Sequence, residues 1–109
     1  MAYVKALDTS ELAEGKMAMV AVGGTEVLLA NVGGTYYAIA NRCNHMGGSL
    51  VKGTLEGSIV TCPRHGSQYD VTTGQCVRGA RLALVTWKVK DEVTYAVKVE
   101  GTAILVEVP

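Results

Sequence analysis

Cys62-Pro63-Arg64-His65-Gly66-Ser67-Gln68-Tyr69-Asp70 is the stretch on which the reading of this chain turns, and Cys43-Asn44-His45-Met46-Gly47-Gly48 is its upstream companion. Each stretch couples one cysteine to one histidine, one residue apart in the first and two apart in the second, with sixteen residues between the pairs. Both histidines of the protein fall inside this pattern. Thiolate sulfur and imidazole nitrogen suit zinc, copper and iron–sulfur clusters, and two short pairs converging from two loops can enclose a metal centre. The plain alternative, a buried Cys and an unrelated His twice over, needs both histidines to fall beside cysteines by accident. The chemical competitor is a structural Cys2His2 zinc module. Against it, the pairs are Cys-His and Cys-His instead of Cys-Cys and His-His, at intervals unlike those of the usual fingers.

Outward from these pairs the chain reads as β structure. Val, Ile, Thr and Tyr dominate, Gly recurs between short runs, and no long stretch has helical period. Strands are expected at Tyr3–Ala6, Met17–Val22, Glu26–Asn31, Tyr36–Asn41, Ser58–Thr61, Gln68–Asp70, Leu82–Lys90, Tyr95–Val99 and Ala103–Val108. Gly23-Gly24 and Gly33-Gly34 sit between strand-like runs as tight hairpin turns, and Ser10 is placed to cap one short helical turn ahead of Glu11, Leu12 and Ala13. The expected fold is all-β: an antiparallel β-sandwich or small barrel, with both Cys-His pairs on Gly-rich loops between Arg42 and Gly79. At 109 residues without a low-complexity linker, residues 1–109 are expected to form one domain, with residues 42–79 as its chemically distinct part.

Ten Lys plus Arg balance ten Asp plus Glu, which leaves no broad electrostatic footprint for nucleic acid or an anionic membrane. Met1 to Lys5 lead into an alternating segment with no signal-peptide pattern, and no apolar run is long enough to span a bilayer, so a cytoplasmic protein is expected. Three cysteines without export signals favour metal binding or free thiols over a disulfide framework. The third, Cys76, belongs to neither pair and reads as a small packing residue with no assigned function.

The two Cys-His stretches resemble the two cluster-binding boxes of the Rieske family and match them at every ligand position. The resemblance continues through Val71-Thr72-Thr73-Gly74 and the closing strands Tyr95 to Val108, so it covers most of the chain. Soluble Rieske ferredoxins are the nearer likeness, and the small subunit of assimilatory nitrite reductase is a more distant one. The resemblance implies one [2Fe–2S] cluster, with Cys43 and Cys62 on one iron and His45 and His65 on the other. Two ferric ions, two sulfides and two thiolates sum to zero charge with neutral imidazoles, whereas four thiolates would leave minus two. The less negative cluster accepts an electron more readily, in line with Rieske potentials of roughly −150 to +300 mV against about −400 mV for plant-type ferredoxins. The unligated ring nitrogens of His45 and His65 can lose protons at alkaline pH. Reduction should strengthen their hold, so the potential is expected to fall there, and a flat profile would remove this expectation.

Ser67 and Tyr69 match the Ser and Tyr that donate hydroxyl bonds to a bridging sulfide and a ligand Cys in respiratory and photosynthetic Rieske proteins. Most low-potential Rieske ferredoxins have apolar residues there, so a potential above the usual ferredoxin level is expected. The bland alternative has Ser67 shaping a turn and Tyr69 filling the core. The respiratory members also carry one extra Cys per box, joined in a disulfide, where this sequence has Gly48 and Arg64. That places it with the ferredoxin-like branch, and Arg64 puts a cation beside His65, where it can steer an acidic partner or stay merely solvated. Two further departures follow. Gln75-Cys76-Val77-Arg78-Gly79-Ala80 lacks the proline-bearing loop usual after the second box, since Pro63 and Pro109 are the only prolines. The stretch Arg81 to Val93 is longer than the corresponding link, which suggests an extra strand or hairpin carrying Trp87, either core or a partner surface.

The expected function is therefore one-electron transfer between redox partner proteins, a reductase and a terminal acceptor such as an oxygenase, with no catalytic residues of its own. The alternatives are a Rieske-type small subunit of a larger oxidoreductase of the nitrite reductase kind and the structural zinc module. An oxygenase in its own right is excluded, because no spare His remains to build a mononuclear two-His, one-carboxylate iron site.

Overall fold

The computed structural model of the chain describes residues 2–42, 48–64, 66–82, 85–87 and 90–109, with residues 80–82 and 85–87 described by their backbone alone. Within them lie the strands β1 (Ala2–Asp8), β2 (Met17–Val22), β3 (Thr25–Val32), β4 (Thr35–Ala40), β5 (Thr54–Glu56), β6 (Ile59–Thr61), β7 (Gln68–Asp70), β8 (Cys76–Arg78), β9 (Ala80–Leu82), β10 (Val85–Trp87), β11 (Thr94–Tyr95), β12 (Val97–Glu100) and β13 (Ala103–Val108). They pair antiparallel in three sheets, ordered β1-β13-β12, β11-β4-β3-β2 and β5-β6-β7-β8, with β9 and β10 as a separate hairpin. This is the all-β architecture expected from the strand pattern. No helix among the described residues is long and apolar enough to cross a membrane.

The Gly pairs set the register of the middle sheet. Val22 pairs with Thr25 and Val32 with Thr35, so two residues make each turn. All four of those glycines have positive φ, between 56° and 91°. Two-residue hairpins that follow the natural strand twist need positive φ at both central positions, and Gly meets that demand without steric cost.

The apolar run of β3 then explains where the cores lie. Val27 to Asn31 are all buried, which requires packing on both faces of the sheet. Val27 and Leu29 join Ala38, Val22, Leu12 and the β13 residues Ile104, Val106 and Val108 in one core. Leu28 and Ala30 join Ile39, Leu50, Val60, Cys62, Tyr69 and Val71 in the other. Alternate residues of one strand thus serve two cores, with the β1-β13-β12 sheet contributing to one and the β5-β6-β7-β8 sheet to the other.

Several boundaries differ from the sequence expectation. Leu82–Lys90 is not one strand: Val85 pairs back onto Leu82 and Trp87 onto Ala80, which makes the hairpin suggested for this stretch. The placement of the Trp87 side chain lies outside what is described. Tyr95–Val99 divides at Ala96, with Tyr95 pairing to Ala38 of the middle sheet and Val97 to Val106 of the outer one. The short helical turn is a 3-10 turn over Thr9–Glu11 with Asp8, not Ser10, at its N-cap. There the Asp8 amide donates to Glu11 Oε1 at 2.9 Å.

Candidate metal centre

The second Cys-His stretch is the hairpin loop between β6 and β7. Ladder pairs run from Ile59 with Asp70 to Thr61 with Gln68, and the Cys62 amide then donates to the Ser67 carbonyl at 2.8 Å. Inside that last rung the Gly66 amide donates back to the Cys62 carbonyl at 3.2 Å, and Gly66 adopts φ +74°, which favours glycine. The Gln68 side chain reinforces the closing rung by donating to Thr61 Oγ1 at 3.1 Å. The result is a tight loop whose base is buried: Cys62 is 2% exposed, and Ser67 and Tyr69 are 0% exposed.

The first stretch is closed at its root by Asn41, a residue the sequence reading took only as the end of a strand. Its side-chain amide donates to Ser49 Oγ at 2.9 Å, and its Oδ1 accepts the Val51 amide at 3.0 Å. Its carbonyl accepts the Leu50 amide at 2.8 Å, and Arg42 forms an isolated antiparallel bridge with Ser49. One buried amide therefore ties the two ends of the loop spanning residues 42–49. The available signal is an Asn two residues before Cys43 and a Ser directly after Gly48.

A third set of contacts braces the far side of the β7–β8 turn. Asp70 Oδ1 accepts the Thr72 amide at 2.9 Å and the Thr72 hydroxyl at 2.7 Å, a local turn characteristic of Asp. Gly74 donates to the Asp70 carbonyl and accepts the Glu92 amide, each at 2.7 Å, and Asp91 Oδ1 accepts the Cys76 amide at 2.7 Å. A Cβ on Gly74 would collide with the Glu92 carbonyl oxygen. This segment follows the second box, where the sequence carries no proline.

Two observations test whether the residues present fit a sulfur-bridged cluster. A Cβ on Gly48 would lie 3.1 Å from Cys62 Sγ and 3.2 Å from Arg64 Cδ, so the end of the first stretch lies directly against the thiol and the Arg stem of the second. The two stretches therefore meet, and Gly48 and Arg64 are neighbours across them. Ser67 Oγ is buried and finds no hydrogen-bond partner among the described residues. A buried hydroxyl without an acceptor costs about 1–3 kcal/mol, so its presence beside Cys62 calls for an acceptor that the described residues do not provide. A bridging sulfide is such an acceptor, and the donor set fits. Cys43, His45 and His65 lie outside the described residues. Among the described residues no group of three or more His, Cys, Asp or Glu side chains is gathered as a metal site.

The chain belongs to the Rieske [2Fe–2S] domain family, whose model matches residues 2–88. Its cofactor is one [2Fe–2S] cluster, and its class is electron transfer. It is 36% identical over 105 residues to the ferredoxin component of the naphthalene 1,2-dioxygenase system of Pseudomonas aeruginosa, covering 96% of this chain and 94% of that protein. The ferredoxin of carbazole 1,9a-dioxygenase from Nocardioides aromaticivorans IC177 superposes with a TM-score of 0.82 at 32% identity, covering 97% of both chains. A ferredoxin solved in a complex of reduced oxygenase and oxidised ferredoxin of carbazole 1,9a-dioxygenase superposes with a TM-score of 0.79 at 28% identity, over 95% of this chain and 91% of that one.

Proposed function

We propose that this chain is the ferredoxin of an oxygenase system, taking single electrons from a reductase and delivering them to a terminal oxygenase, with Cys43 and Cys62 as ligands of one iron and His45 and His65 of the other. We further read residues 1–109 as one domain in which residues 42–79 hold the cluster, and the cytoplasm as its place of work. The observation that supports the ligand set is the close approach of Gly48 to Cys62 Sγ beside a buried Ser67 hydroxyl that has no partner among the described residues. When bound, the cluster supplies a one-electron couple at a potential raised by histidine ligation.

The rest is the work of the chain. Cys62 supplies its thiolate from a buried position fixed by the Cys62–Ser67 rung. Ser67 donates its hydroxyl towards sulfur, an interaction that strengthens as negative charge accumulates and so favours the reduced state. Asn41 holds the first loop in register, and the buried floor of Leu28, Ile39, Leu50 and Val60 keeps water from the inner side.

The test is an anaerobic reductive titration followed by mixing with a Rieske-type terminal oxygenase. The expected endpoint is one electron per chain, with reoxidation when the oxygenase is added. A chain that carries zinc and no visible absorption contradicts the proposal.

A further inference from the structure

Three carbonyls of the 62–67 loop have hydrogen-bond partners among the described residues. The Cys62 carbonyl takes the Gly66 amide and the Ser67 carbonyl takes the Cys62 amide, both within the hairpin. The Gly66 carbonyl, in the residue directly after His65, is held from outside: Arg78 Nη2 donates to it at 3.0 Å and Arg78 Nε at 3.3 Å. Arg78 reaches it because β8 is bulged. Gln68 pairs with Arg78 but Tyr69 pairs with Cys76, so Val77 is an extra residue that turns the end of β8 towards the loop. Gly66 is also shaped for this contact, since a Cβ there would lie 3.2 Å from Arg78 Nη2.

We infer that Arg78 is a positioning residue for the cluster, clamping the second loop at the Gly66 carbonyl and fixing a permanent positive charge one residue from His65. The inference rests on the proposed ligand set and goes beyond it. The guanidinium carries a positive charge and presents two N–H groups in a rigid fork, so it delivers geometry and charge together. Geometry matters because the Gly48/Arg64 positions carry no disulfide here, and among the described residues hydrogen bonds close the loop. Charge matters because a cation stabilises the more negative, reduced cluster. The position is exposed, so the electrostatic part is screened by salt while the clamp is not.

These two parts separate in Arg78→Lys, which keeps the charge and loses the fork, and Arg78→Met, which loses both. The measurements are the midpoint potential at low and high ionic strength and the rate at which a chelator removes iron. The expected result is severalfold faster iron loss in both variants, a lower potential in Arg78→Met only, and a difference from wild type that shrinks as salt rises. Potentials and release rates equal to wild type in both variants would overturn the assignment while leaving the ligand set standing. A wild-type protein that binds no cluster at all would overturn the ligand set itself.

Discussion

The two cores on either face of β3 are built of different material. On one face Val27 and Leu29 join the buried Leu12, Val22, Ala38, Ile104, Val106 and Val108, with Tyr36 and Tyr95 partly buried against them. On the other, Leu28 and Ala30 meet Leu50 and Val60 together with a thiol, Cys62, and a phenol, Tyr69, beside the buried Ser67. The first core is complete as soon as the chain folds. The second is left with a hydroxyl that has no partner among the described residues, and under the proposed ligand set a cluster sulfide would be its acceptor. Burial without chemistry makes a scaffold, and the same sheet turned over makes a site.

The sharpest way to break this contrast is Cys62→Ser. It should abolish the visible spectrum and the bound iron while the β1-β13-β12 and middle sheets keep their far-ultraviolet circular dichroism, so a variant that keeps both irons would contradict the site. Next come Leu28→Ala and Leu29→Ala, chemically identical truncations one residue apart at 0% exposure. Each should cost about 2–5 kcal/mol in denaturant unfolding. Only Leu28→Ala should also speed cluster loss, because only Leu28 lies in the floor of the site.

Asn41→Ala removes the two side-chain hydrogen bonds that close the first loop and should cost about 1–3 kcal/mol, with faster iron release. Thermal unfolding of apoprotein and holoprotein checks both. The smallest effect has the most informative sign. Ser67→Ala should stabilise the apoprotein by about 1 kcal/mol, because a partnerless buried hydroxyl is removed. It should lower the holoprotein's midpoint potential by about 60 mV for each 1.4 kcal/mol of lost preference for the reduced state. Shifts in the same direction, or none, would show that Ser67 merely shapes its turn.

Most of the scaffold could be read because it is written in period two and punctuated by glycine. Met17–Val22, Gln68–Asp70 and Ala103–Val108 have the bounds that alternation suggests, and the Gly23-Gly24 and Gly33-Gly34 turns follow from the φ that only glycine takes cheaply. Leu82–Lys90 misleads for the same reason, since its apolar residues run on without a Gly or Pro to mark the reversal between Leu82 and Val85. Thr54–Glu56 and Cys76–Arg78 are strands that the sequence expectation does not include.

At the site, the Cys-His boxes are local in sequence and so legible, and Ser67 and Tyr69 come with them. Asn41 and Arg78 are not. Asn41 acts across its loop through side-chain bonds that alternation does not encode. Arg78 reaches Gly66 only because one residue, Val77, bulges out of β8, and such an irregularity has no signature in a single sequence. The contacts that position the site come from register, whereas the residues expected to do its chemistry come from type and spacing.

The central claim is a [2Fe–2S] cluster held by two cysteines and two histidines. Its most direct test is electron paramagnetic resonance of the anaerobically purified, dithionite-reduced protein, read together with nitrogen hyperfine couplings and with iron and sulfide content. A rhombic signal of low average g, coupled to two imidazole nitrogens, with two irons and two sulfides per chain, is the predicted result. An all-thiolate type of signal without nitrogen coupling, or zinc with no signal at all, would contradict it.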